Sequence, residues 1–268
     1  IDVPSYVALI AAGEYQKALD LIRQDNPLPA ICGYVCTHPC ESACERADVD
    51  RAVAIKDLKR FVADWEMKHS PSPLPPRASG SLGKVAIVGS GPAGLTAAYF
   101  AALQGADVTI YEAMDEPGGM LVAGIPEFRL PREVIRHEIE RICKLGVTIE
   151  TGVRIGDKLT LQQLRDDGAR AVYLATGAYH EMKLGLPHED QLEGIEGSLE
   201  FLARCGGEQR PTLSGKVVVI GGGNAALDCA RTALRMGPEQ VTILYRRTRD
   251  EMPADAHEIE QALAAGTA

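Results

Sequence analysis

The chain has 268 residues, 46% of them hydrophobic and 24% charged, which is the mix of a folded globular protein of two domains plus a smaller piece rather than of a disordered chain. With 37 acidic against 28 basic residues the net charge is −9, which disfavours a general binder of nucleic acid or of anionic membranes. No stretch approaches the roughly 20 apolar residues that span a bilayer, and no leader of basic then apolar residues is visible, so a cytoplasmic protein is expected.

Residues 1–70 read as a helical domain. Apolar residues recur three and four apart through Tyr6–Ile10 and Ala18–Ile22, and Asn26-Pro27 with Pro29 reads as the stop. Cys32, Cys36, Cys40 and Cys44 follow at intervals of four. The seven cysteines are an odd number without a secretion signal, so a disulfide framework fits poorly. Thiolates are soft ligands that suit an iron–sulfur cluster or zinc, and the spacing is looser than the paired Cys-x-x-Cys of zinc ribbons. Pro39 prevents one regular helix, so this segment is expected to wrap as a loop. A further helix over Ile55–Lys68 would bury Ile55, Leu58, Phe61, Val62 and Trp65. The Pro- and Ser-rich run 71–83 reads as a linker.

Beyond the linker the pattern becomes α/β. Val85–Val88 reads as a buried strand, Ala93–Leu103 as a helix and Val108–Tyr111 as a second strand, a strand–helix–strand unit of the doubly wound type. Pro131–Leu145 reads as a helix, and Val147–Ile149 and Ala171–Leu174 as strands. The unit recurs in Val217–Ile220, a helix over Ala225–Met236 and the strand Val241–Tyr245. Two such units predict two dinucleotide-binding domains, over 84–187 and 188–268.

Each unit turns on a glycine loop. The first is Gly89-Ser90-Gly91-Pro92-Ala93-Gly94, between strand and helix, where glycines allow a tight turn, backbone approach to a pyrophosphate and close helix–strand packing. Glu112, which lies 18 residues beyond Gly94 at the end of the next strand, can accept hydrogen bonds from ribose hydroxyls. The second loop is Gly221-Gly222-Gly223-Asn224-Ala225-Ala226. Its next strand ends in Tyr245-Arg246-Arg247, where guanidinium groups would pair with a 2′-phosphate and a carboxylate would repel it. That charge difference points to FAD at the first loop and NADP(H) at the second, with NAD(H) left open. Beside a flavin, an electron-carrying cluster makes better sense of the cysteine segment than structural zinc. Cys143, Cys205 and Cys229 read as plain core residues.

These motifs resemble the small (beta) subunit family of NADPH-dependent glutamate synthase. Its relatives include the large subunit of ferredoxin:NADP oxidoreductase and the N-terminal half of dihydropyrimidine dehydrogenase. The resemblance runs through Leu28–Gly33, Val35-Cys36, Cys40-Glu41 with Cys44, the first glycine loop, Gly118–Leu121 and Gly124–Pro131. It continues through Ala175-Thr176-Gly177, Gly221–Asn224, Tyr245–Arg247 and Glu251–Pro253. It implies an N-terminal α-helical iron–sulfur domain followed by two Rossmann-like, glutathione-reductase-like domains. It implies FAD at Gly89, Ser90, Gly91, Pro92, Ala93, Glu112, Gly119, Met120 and Arg129. NADP(H) would lie at Gly222, Gly223, Asn224, Ala225, Arg246 and Arg247, and a [4Fe-4S] cluster on Cys36, Cys40 and Cys44, with Cys32 a bystander. A Cys-rich stretch that relatives carry before the segment beginning at Ile1 is absent, as is their final flavin segment, so the chain is expected to be truncated at both ends. Lys59 stands near where some relatives place a Gln or Glu ligand, and an ammonium cannot ligate iron. No protein group is expected to act as a nucleophile, because the cofactors carry the chemistry. The expected function is an electron-transfer subunit that passes hydride from NAD(P)H to FAD and then single electrons to another oxidoreductase subunit or a ferredoxin, or the reverse. A non-catalytic scaffold module is the alternative. A thioredoxin-reductase-like enzyme would need a redox Cys-x-x-Cys, and residues 84–268 contain none.

Overall fold

Asp2 opens the chain's first helix, its carboxylate accepting from the Ser5 amide at 3.1 Å, with Pro4 tolerated in the first turn. In the computed structural model, which describes residues 1–69, 73–157, 159–189, 191–207 and 210–268, this helix α1 covers Val3–Ala11. The apolar run that reads as one helix is two. Gly13, at φ +77°, reverses the chain, and α2 restarts over Tyr15–Arg23. Pro29, read as a stop, starts α3 (Pro29–Val35) instead: at N1 its missing N–H costs nothing. Short α4 (Pro39–Ser42) follows, then α5 over Ile55–Lys68, matching the expected bounds. Residues 70–72, at the start of the expected linker, lie outside the described residues.

The face that α5 buries differs from the expected one. Ile55 and Val62 are buried as expected, but Lys59, Ala63 and Glu66 join them, while Phe61 is 46% exposed. Phe61 and Trp65 instead pack edge-on to Tyr15, at ring separations of 5.2 and 5.5 Å. Burial of Glu66 is made possible by Arg23, which meets it through both terminal nitrogens at 2.8 and 2.5 Å.

Two compact units divide the chain: residues 1–121 with 129–177, and residues 122–128 with 178–268. In the first, β1 (Lys84–Val88), α6 (Pro92–Leu103), β2 (Asp107–Tyr111), α8 (Arg132–Cys143), β3 (Thr148–Glu150), α9 (Leu161–Asp166) and β4 (Ala169–Leu174) follow the helical module, and the short α7 (Met120–Ala123) crosses from the first unit into the second. Their sheet is parallel with order β3-β2-β1-β4 and Val85 opposite Val108. The order puts β1 at the centre, so the loop leaving it sits beside the chain reversal where such sheets admit ligands. Ile87, Ile110, Leu95, Ile135 and Ile142 are almost fully buried in this core.

The second unit holds α10 (Ser198–Gly206), β5 (Lys216–Ile220), α11 (Asn224–Arg235), β6 (Gln240–Leu244) and α12 (Ala256–Ala264). β5 and β6 pair in parallel, Lys216 opposite Gln240. Ala230, Ala233 and Val241 form its buried centre, with Val217 and Val219 packed on it. No helix among the described residues is long and apolar enough to cross a membrane.

Candidate nucleotide and cluster sites

The first glycine loop has three glycines with three different surroundings. Gly89 sits at φ +104°, and a Cβ there would stand 2.3 Å from the Ala175 carbonyl oxygen. A Cβ on Gly94 would meet the Gly89 oxygen at 1.9 Å, so α6 can lie this close to β1 only without a side chain. At Gly91 a Cβ would have nothing within 4 Å. Gly89 and Gly94 are therefore needed by the fold, and Gly91 borders open space of the kind a pyrophosphate requires. Gly91 is the N-cap of α6, Pro92 follows it, and no side chain caps that end, which leaves the helix N-terminus presented to an anion. Pro92 and Ala93 are exposed beside it.

Ser90 is fully buried and organises the loop. Its amide and hydroxyl both donate to Glu112 Oε2, at 2.8 and 2.5 Å, and its hydroxyl oxygen accepts from the Gly118 amide at 2.9 Å. Glu112 Oε1 accepts from the Met114 amide at 2.9 Å. The carboxylate expected to await ribose hydroxyls thus also braces two loops from a 5% exposed position, with acceptor capacity remaining. Gly119, at φ +56°, and Met120 lie directly beyond the anchored Gly118. Arg129 is half-buried and engaged within the chain.

The second loop repeats the logic with different neighbours. A Cβ on Gly222 would stand 2.6 Å from the Tyr245 ring, whereas at Gly223 nothing lies within 4 Å. Gly223 is the N-cap of α11, again without a side-chain cap. Asn224 Oδ1 accepts from the Asp255 amide at 3.0 Å and the Gly222 carbonyl from the Ala254 amide at 3.1 Å, which holds the segment after β6 behind the loop. Ala225 is exposed. Arg246 and Arg247 are exposed too, and neither makes an ion pair or hydrogen bond among the described residues. Two unengaged guanidinium groups beyond a helix N-terminus suit a phosphate monoester. Tyr245, named in the strand-end motif but given no role from sequence, seats its ring on Gly222 and donates its hydroxyl to the Glu251 carbonyl at 3.2 Å. Phe128, in the Gly124–Pro131 stretch, lies under Arg235 and Arg231, 3.9 and 4.7 Å from its centroid.

The cysteine segment is a set of short helical pieces rather than a plain loop. Cys36 ends α3, Cys40 lies in α4, and Cys44 precedes a 3₁₀ turn over Glu45–Asp48. All are free thiols, Cys40 exposed and the other two half-buried. Glu41 docks α4 on α5 by accepting from the Lys56 amide at 2.8 Å. Cys32 points its thiol at Asn26 Oδ1, 3.7 Å away, and burial raises its pKa. Three free soft thiols fit an iron–sulfur donor set in kind. Among the described residues, however, no three His, Cys, Asp or Glu side chains stand close enough to hold a metal ion. Cys205 and Cys229 are buried, the latter pushed up to about 12 by burial, as suits core thiols, whereas Cys143 is only half-buried.

Residues 83–266 match the family described as pyridine nucleotide-disulphide oxidoreductase, and residues 1–71 match dihydropyrimidine dehydrogenase domain II, 4Fe-4S cluster. The NADP(+)-dependent formate dehydrogenase subunit beta of Moorella thermoacetica is 45% identical over 99% of this chain and 41% of its own length. The NADPH-Fe(3+) oxidoreductase subunit beta of Geobacter sulfurreducens is 46% identical over 98% of the chain and 39% of its own length. The chain thus spans about two fifths of these curated relatives. Among solved structures, Mycobacterium tuberculosis FprA shares the fold at TM-score 0.59 and 23% identity, over 68% of this chain and 47% of that one. The chain belongs to the pyridine nucleotide-disulphide oxidoreductase family and carries a 4Fe-4S module ahead of the family's nucleotide folds.

Proposed function

We propose that this chain is the nucleotide-handling part of an electron-transfer flavoprotein subunit of the cytoplasm. Hydride passes from NADPH to FAD, and single electrons then pass by way of [4Fe-4S] centres to another oxidoreductase subunit or a ferredoxin, or in reverse. A bound flavin supplies the junction between two-electron hydride chemistry and one-electron cluster chemistry. The protein's part is binding and placement. Residues 84–187 hold FAD, with Gly91 and the α6 N-terminus facing its pyrophosphate, and Gly119, Met120 and Arg129 completing the cradle. Residues 188–268 hold NADPH, with Gly222, Gly223, Asn224 and Ala225 at the pyrophosphate and Arg246 and Arg247 at the 2′-phosphate. Residues 1–70 carry Cys36, Cys40 and Cys44 for the cluster, and 71–83 link the two functions.

The observation that carries this reading is the pair of uncapped helix N-termini, each behind a glycine that borders open space, of which only the second is followed by exposed, unengaged arginines. The relatives from Moorella and Geobacter are named for NADP chemistry, in keeping with Arg246 and Arg247. The alternative is a scaffold, a bridging module that does not turn over. An anaerobic visible spectrum of the full-length protein, titrated with NADPH and separately with NADH, separates the readings. Flavin bands on a broad cluster shoulder, bleached by NADPH and not by NADH, are expected. Bleaching by NADH alone would keep the mechanism and remove the role of the two arginines. A colourless protein inert to both would establish the scaffold.

A further inference from the structure

Glu138 lies in the middle of α8 and is fully buried. Its Oε1 accepts a hydrogen bond from the Ala30 amide at 2.7 Å, across 108 residues of sequence. Burial raises its pKa, and its Oε2 has no hydrogen-bond partner. A carboxyl group buried with one oxygen lacking a hydrogen bond costs stability. Ala30 is the second residue of α3, a helix that no side chain of its own segment caps: the N-cap is Leu28, and Pro29 has no N–H to give. From Ala30 the helix is a stiff rod to the cysteines. The Cys32 amide bonds the Leu28 carbonyl and the Cys36 amide bonds the Cys32 carbonyl, each at 3.1 Å. At ~1.5 Å rise per residue, Cys36 stands roughly 9 Å from the amide that Glu138 holds.

The surroundings form a seam of buried charge between the helical module and the first nucleotide fold. The module contributes Arg23 and Glu66. The fold contributes His137 and Arg141, which approach Glu66 at 3.4 and 3.6 Å. In that seam Glu138 reaches past the ion pairs to backbone of the cysteine-bearing segment.

We propose that Glu138 is a positioning residue for electron transfer: the first nucleotide fold holds α3 through it, and thereby sets where Cys36 and the cluster thiols stand relative to the flavin cradle. The inference rests on the functional reading above. It predicts that loosening this one bond slows electron passage from flavin to cluster while hydride transfer into the flavin, a step in which α3 has no part, is unaffected.

The test uses the full-length holoprotein and stopped-flow reduction by NADPH, with flavin bleaching and the cluster's electron paramagnetic resonance signal followed separately. Glu138→Met is expected to slow cluster reduction severalfold, because electron tunnelling falls off exponentially with donor–acceptor distance, while flavin bleaching keeps the parent's rate. Glu138→Gln, which retains an acceptor oxygen, should restore most of the rate. Ala30→Pro removes the donor at a helix position that tolerates the ring. It should reproduce the slowing, and the double variant should add nothing further. Hydrogen exchange at the amides of residues 32–36 should rise in both single variants. Should Glu138→Met not fold, Ala30→Pro decides alone. Unchanged cluster reduction in a folded variant would overturn the proposal, as would equal slowing of both steps. A parent protein without flavin or cluster signals would instead overturn the functional reading beneath it.

Discussion

The two glycine loops share backbone geometry and differ in what stands behind them. At the first, the residue closing the neighbouring strand is Glu112, which is drawn inward and binds Ser90 and Met114. At the second, the corresponding strand runs out into Arg246 and Arg247, which stay in solvent and bind nothing among the described residues. An acidic strand end therefore does two jobs in the proposed function: it would face a ribose, and it braces the loop proposed to hold the phosphates. A basic strand end does only the ligand's job, and the second loop obtains its bracing elsewhere, from Tyr245 on Gly222 and from the Asn224–Asp255 bond. Mutation should damage the first site through the fold and the second through affinity alone.

Glu112→Ala should have the largest effect. It takes the acceptor from the buried Ser90 amide and hydroxyl at a site that is 5% exposed, and unsatisfied buried polar groups cost about 1–3 kcal/mol each. Chemical denaturation should show a loss of roughly 3 kcal/mol, and the purified variant should lack flavin. A variant as stable as the parent that merely binds flavin less tightly would erase the contrast between the loops.

Removing Arg246 and Arg247 together by alanine tests the other half. Neither side chain supports the fold, so the denaturation midpoint should not move. Charge-assisted bonds to a phosphate contribute about 1.5–3 kcal/mol each, so kcat/KM for NADPH should fall on the order of a hundredfold. With NADH it should hold within about twofold, since that cofactor has no 2′-phosphate to lose. Equal losses with both cofactors would mean that the arginines act on something common to them.

What the sequence made legible follows the range of the interactions involved. Local signals carried far: glycine spacing, β-branched runs and the prolines at 73–76 located both nucleotide folds and their loops. Proline at a helix start misled. Pro29 looks like a stop after Asn26-Pro27, yet a ring at N1 is welcome, and only the α3 geometry tells the two apart. The amphipathic stripe of α5 was shifted because Glu66 counts as polar until its partner is known, and Arg23 lies 43 residues away. The same limit hid Ser90 binding Gly118, and Glu138 holding Ala30. The helices α9, α10 and α12 went unread: they are short, of six to nine residues, and lack the longer apolar period of their neighbours.

The smallest expected effect concerns the turn after the arginines, where bracing of the second loop meets solvent. Glu251 Oε2 accepts from the Thr248 amide and hydroxyl, at 3.1 and 2.8 Å, and closes a capping box just beyond Arg247. Those two bonds favour the carboxylate and hold its pKa below the usual glutamate value. A depressed carboxyl stabilises the fold above its unfolded pKa, and that stabilisation is lost as pH falls through the folded value. At neutral pH the parent should therefore be slightly more stable than Glu251→Gln, with the gap constant from pH 6 to 8 and closing only once the solution is acid enough to protonate the cap. Because the box is solvent-exposed, high salt should shrink the gap without abolishing it. A gap that instead opened as pH fell would mean that the carboxylate is opposed by its surroundings, and that the arginine turn is held by Tyr245 alone.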